Sequence, residues 1–221
     1  MIFNSEMVRA ILEGRKTQTR RIMKVQPGTP EFGLRRIIES SKANENGMYF
    51  WSQDDACGIK ARSKPFLFPY GEVGDRIWVR ETFSCIGNED GHPVDANSNL
   101  CSREDAQRIY RASAIQNPGN YGLWTSPDGF DFEGSWTPSI HMPRWASRIT
   151  LEITDVRVER LNNISECDAK AEGGPTECTL IGDKYFPGFR SLWKSIYGEE
   201  SWAANPWVWV IEFKRVEGGA A

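Results

Sequence analysis

The chain has 221 residues, 39% of them hydrophobic, with a mean hydropathy of −0.52 and a formal net charge of −3. No apolar run approaches the roughly 20 residues of a membrane span, so no membrane partner is expected. The slightly acidic total excludes a bulk polyanion binder and leaves any nucleic-acid contact to a local patch such as Arg9 to Lys24.

In chain order, Met7, Val8, Ile11 and Leu12 fall on one face at helical spacing. Asn4 or Ser5 can cap that helix, and Gly14 supplies the left-handed residue that ends it. Lys24 to Glu72 is rich in Pro, Gly and Ser, with short strands predicted at 35–39 and 48–51. After the turn at Gly71 to Asp75, residues 76–83 alternate and predict one strand. Ser84 to Ala146 reads as a second insertion with a strand at 109–112. Its aromatics Trp124, Phe130, Phe132, Trp136 and Trp145 read best as a satellite core under a long loop, and otherwise as the floor of a substrate pocket or a stack for bases.

Arg148 to Val158 predicts a strong strand. Ile149, Leu151 and Ile153 alternate, then Val156 and Val158 continue in the other register, which predicts a bulge near Asp155. Ser165 with Asp168 resembles a capping box, and Gly173 ends the short helix that follows. A second helix is predicted over 189–197, stopped by Gly198. Trp207 to Lys214 predicts a central strand, and Glu217 to Ala221 a frayed tail.

The chemistry concentrates in Gly14-Arg15-Lys16-Thr17-Gln18-Thr19-Arg20-Arg21. Lys16 and Thr19 lie three apart, so a turn or helix would bring amine and hydroxyl together. Crowding by Arg15, Arg20 and Arg21 would lower the lysine pKa and let it take a proton from the hydroxyl. The plain alternative is a solvated basic face or a polyanion contact. Glu172, on the last turn of its helix, faces the negative end of the helix dipole, an unfavourable place that fits either an ordinary exposed glutamate or a functional carboxylate suited to proton transfer. His92 and His141 stand alone, so no metal is expected, and with no P-loop or dinucleotide fingerprint no other cofactor is expected. Five cysteines with no C-x-x-C, and no signal-peptide anatomy, predict a reducing, cytoplasmic setting.

The Gly14-to-Arg21 stretch resembles the G-x-K-x-x-[ET]-x-R signature of ASCH domains, which belong to the PUA-like β-barrels. With Thr at the sixth place it is similar to the small bacterial ASCH amidohydrolases that deacetylate N4-acetylcytidine. The resemblance implies an α+β fold: a small PUA-like β-barrel with flanking short helices, one domain over 1–221, and long insertions at about 24–72 and 84–146 that those enzymes lack. It implies Lys16, Thr19 and Glu172 as the catalytic set, with Arg21, Arg20 and Gly14 on the substrate. Thr19 would attack the acyl carbonyl with Lys16 as base, or Lys16 and Glu172 would activate a water. The partner is then a small nucleoside-like substrate. Two other readings stay open: a non-catalytic RNA-binding module using Lys16, Arg20, Arg21 and Lys24, and a ribonuclease using Lys16 and Arg21. Oligomeric state is not encoded in any motif.

Overall fold

The computed structural model describes residues 1–29 and 31–216, so the predicted tail at Glu217 to Ala221 lies outside the described residues. Helix α1 (Ser5–Leu12) forms where its apolar spacing predicts. The Asn4 side chain accepts the Met7 N–H at 2.8 Å, and Gly14 leaves the helix at φ +74°. The motif does not continue as helix or turn. Gln18–Ile22 is a strand, β1, held along its length by the last strand, from Gln18 opposite Glu212 to Ile22 opposite Val208.

The first insertion forms an antiparallel meander of β2 (Gly33–Arg36), β3 (Tyr49–Asp55) and β4 (Gly58–Arg62). The single strand predicted over 76–83 is broken. β5 (Arg76–Trp78) pairs with the long strand, Arg80 bridges Ile2, and β6 (Phe83–Cys85) pairs with β7 (Arg108–Tyr110). The chain changes partner between these steps, which alternation alone does not reveal. Short strands β8 (Ile115–Gln116), β9 (Leu123–Thr125) and β10 (Asp131–Glu133) complete the second insertion. Trp124, Phe130, Phe132 and Trp136 pack with Ile86, Val94 and Ile109 as the expected satellite core, while Trp145 joins a neighbouring cluster beside Phe83.

The strand β11 (Thr150–Arg160) carries the expected bulge, its register shifting between Ile153 and Asp155. Ser165 caps α2 (Glu166–Ala171), accepting the Asp168 N–H at 3.1 Å. A hairpin, β12 (Glu177–Thr179) and β13 (Gly182–Lys184), leads into α3 (Tyr185–Tyr197). α3 begins before the predicted Phe189 because Pro187 sits in its first turn, where no intrahelical N–H bond is required. Glu166 of α2 supplies the cap, its carboxylate accepting the Tyr185 and Phe186 N–H groups at 2.6 and 3.0 Å. α4 (Glu199–Ala203) and β14 (Trp207–Val216) follow.

The fold is α+β. The main sheet runs β1-β14-β11-β5, with β14 inside it as predicted. One face carries Val208 and Val210 against Ala169, Phe189, Trp193 and Trp202 of the helices; the other carries Trp209 and Ile211 against Trp51, Tyr49 and Phe68 of the first insertion. Among the described residues the hydrogen bonds do not close this sheet into the expected barrel. Ile2 lies beside Arg80, just beyond β5, and Arg21 of β1 reaches back to the Ile2 carbonyl through its side chain at 2.8 Å. A seam remains between the N-terminal segment and β1.

Candidate active site

A cavity of about 210 Å³ fills that seam. Phe3 and Met7 wall one side and Phe189, Trp193 and Tyr197 of α3 the other; Thr19, Arg20, Arg21 and Glu172 supply most of the polar lining. Neither insertion contributes a lining residue.

Main-chain bonds carry Lys16 to this place. Its N–H donates to Ala10 O at 3.0 Å, the Thr17 N–H donates to Ala171 O at 2.9 Å, and Thr17 O accepts the Phe213 N–H at 2.8 Å. The loop therefore lies against the end of α2. Gly173 makes the approach possible: at φ +71°, an added Cβ would sit 2.7 Å from Lys16 Cβ and 2.9 Å from Ala10 Cβ.

The Lys16 ammonium donates to Glu172 Oε2 and to the Glu172 carbonyl, both at 2.8 Å. The second bond satisfies an orphan carbonyl at the helix end and places a cation on the negative end of the dipole, which offsets the awkward position of the Glu172 carboxylate. Arg20 Nη1 donates to Glu172 Oε1 at 3.3 Å. The Lys16 and Arg20 side chains are 0% exposed and that of Glu172 is 4%. Burial pushes the Lys16 pKa below the usual lysine range; Glu172 pulls it back up, and Arg21 and Arg20 press it further down. The lowering predicted from cationic crowding is thus chiefly desolvation.

Lys16 does not reach Thr19. Lys16 lies in the loop before β1, and its ammonium is turned to Glu172. Among the described residues no hydrogen bond joins Lys16 to Thr19, and Lys16 is absent from the cavity lining. Thr19 is 3% exposed and borders the cavity. Arg21 donates to Ile2 O and, at 3.4 Å, to Tyr197 Oη; its Nε is buried without a partner. Gly14 lies elsewhere, bordering a second cavity of about 410 Å³ with Arg15, Thr17 and Lys170.

A further set of charges was not foreseen. Arg20 Nη2 donates to Glu159 Oε2 at 3.0 Å and lies 3.6 Å from Asp168 Oδ2. Arg157 meets the other oxygens of both, Glu159 Oε1 at 2.6 Å and Asp168 Oδ1 at 2.9 Å, and also pairs with Glu212. The signal was there: Arg157 and Glu159 alternate on the face of β11 that carries Val208 and Val210 on β14, where an apolar strip is normal. Burial alone would raise the Asp168 pKa, but the Ser165 hydroxyl and the charges of Arg20 and Arg157 hold it below the usual range.

Among the described residues no group of three His, Cys, Asp or Glu is placed to hold a metal ion, and no helix is long and apolar enough to cross a membrane. The chain matches no family model, no curated protein and no solved structure.

Proposed function

We propose that the chain is an amide hydrolase that removes an N-acyl group from a small modified nucleobase or nucleoside such as N4-acetylcytidine. The observation that carries this reading is Glu172: a buried carboxylate, gripped on both oxygens by cations, bordering a small and largely apolar cavity. Burying such ions is costly, so a site that retains them is a candidate for chemistry. The ASCH relationship, and a PUA-like reading of the sheet, belong to the proposal and rest on the Gly14-to-Arg21 motif. The volume of about 210 Å³ is below the roughly 300–1,000 Å³ of sites for drug-sized ligands and favours one ring with a short substituent over a polymer.

Of the two routes, water attack agrees better with the geometry, because Lys16 is engaged by Glu172 and stands apart from Thr19. Water adds to the acyl carbonyl carbon as Glu172 takes its proton. Arg21, with its unpartnered Nε–H, meets the charge that grows on the carbonyl oxygen. Glu172 returns the proton to the amine nitrogen as the C–N bond breaks, giving a carboxylic acid and the free base. Lys16 and Arg20 hold the carboxylate, and Thr19 borders the substrate. The RNA-binding and ribonuclease readings both need Lys16 on a phosphate, and its ammonium has no accessible surface.

The test is incubation of the purified chain with N4-acetylcytidine and N4-acetylcytosine, reading free cytidine and cytosine. Glu172→Gln should lower turnover by about 10²–10⁴-fold while the circular dichroism spectrum is kept. No release across a panel of acylated nucleosides by the folded protein would reject the proposal.

A further inference from the structure

We infer that Arg157, which does not line the cavity, is a positioning residue for Glu172, acting through Glu159, Asp168 and Arg20. The inference rests on the hydrolase reading for its effect on turnover, but not for its effect on the carboxylate itself. Each of two carboxylates bridges the same two guanidiniums: Glu159 offers Oε1 to Arg157 and Oε2 to Arg20, and Asp168 offers Oδ1 to Arg157 and Oδ2 to Arg20. A planar guanidinium fork suits this double bridge; a single ammonium does not. Arg157 is anchored in turn by Glu212 and by Gln18 Oε1 at 3.4 Å. Its side chain is 29% exposed, so the solvent-facing arginine sets the carboxylates that set the buried one.

Without Arg157, Glu159 and Asp168 have Arg20 as their nearest cation. Arg20 is then drawn toward them, and its 3.3 Å bond to Glu172 Oε1 loosens. Glu172 is left to Lys16 alone. Asp168→Asn acts in the opposite sense, because it weakens the pull on Arg20 from the far side. The groups that face Lys16 are Glu172 from the end of α2, Arg20 and Arg21 from β1, and the Phe3 ring, whose centroid is 5.8 Å away.

The experiment pairs an NMR titration of the Lys16 side chain, which needs no substrate, with steady-state hydrolysis of the acylated nucleoside. In Arg157→Met the Lys16 midpoint should rise, and in Asp168→Asn it should fall. In Arg157→Met kcat should drop by about 10²-fold with KM little changed, as expected for a carboxylate misplaced by about 1 Å. Arg157→Lys keeps the charge but not the fork; its Lys16 midpoint should stay near that of the unmodified chain while kcat still falls. Shifts of the same sign in the first two variants, or turnover that tracks only the folded fraction while Lys16 titrates unchanged, overturn the inference. If Arg157→Met does not fold, the Asp168→Asn titration decides alone. If the unmodified chain hydrolyses no amide but the opposite shifts appear, the hydrolase reading fails and the clamp on Glu172 stands.

Discussion

Replacing Lys16 by Met removes one member of a contact that is closed to water. The N···O distance is 2.8 Å, and the two side chains are 0% and 4% exposed. At that separation, with an effective dielectric constant of about 20, the attraction is about 6 kcal/mol. Burial of each ion takes back several kcal/mol, so the pair itself is close to neutral for stability. Removing one partner is different, because the other charge stays behind. Lys16→Met should therefore destabilise by about 3–5 kcal/mol, toward the lower end because Arg20 still holds Glu172 Oε1. For a chain of this size that is a fall in Tm of roughly 6–20 °C. Adding Glu172→Gln should restore much of the loss. Denaturant unfolding at pH 7 of the unmodified chain, both single variants and the double variant gives the coupling energy directly. A coupling within about 0.5 kcal/mol of zero, the scatter of independent sites, would refute the interaction between the two charges.

Asp168 has a lowered pKa, so its stabilising effect is complete above the ordinary aspartate value near 3.9 and is lost as pH falls through its lower folded value. Asp168→Asn should flatten the dependence of Tm on pH in that acid window and lower Tm at neutral pH; an unchanged acid slope would count against the shift. Gly173→Ala forces a Cβ to 2.7 Å from Lys16 Cβ at positive φ and should cost about 1–3 kcal/mol together with most of the turnover, measured by unfolding and by release of free base. Phe132→Ala should cost about 3–5 kcal/mol within the satellite cluster yet leave hydrolysis by the folded protein unchanged, because that cluster does not touch the cavity. A fall in turnover per folded Phe132→Ala molecule would assign the second insertion a part in the site.

What was legible in the sequence was local. The Asn4 and Ser165 caps, the register change near Asp155 and the central strand at Trp207 each leave their mark within a few residues, and each stands in the fold. The start of α3 left only Pro187, because its cap is Glu166, brought from another helix. The break after Trp78 was hidden because the apolar–polar alternation runs on through Val79 to Phe83 and only the partner changes. At the site, Lys16, Arg20, Arg21 and Glu172 were found as residue types at suggestive places. Their division of labour was not, since a basic run reads as solvated until the carboxylates that bury it are known. Arg157 and Glu159 alternate on an otherwise apolar strip, but the charges they meet on α2 and β1 come from distant parts of the chain and leave no mark in β11.

The position of β14 bears on how the protein is made. This strand lies between β1 and β11, so on the ribosome both neighbours emerge long before the one that joins them. Until then each nascent strand has a bare edge, and α3, though already made, lacks Val208 and Val210 to pack on. Such late pairing of distant segments is slow and prone to misassociation. Yield during synthesis should therefore be governed by shielding of β1 and β11 more than by any contact visible in the finished fold.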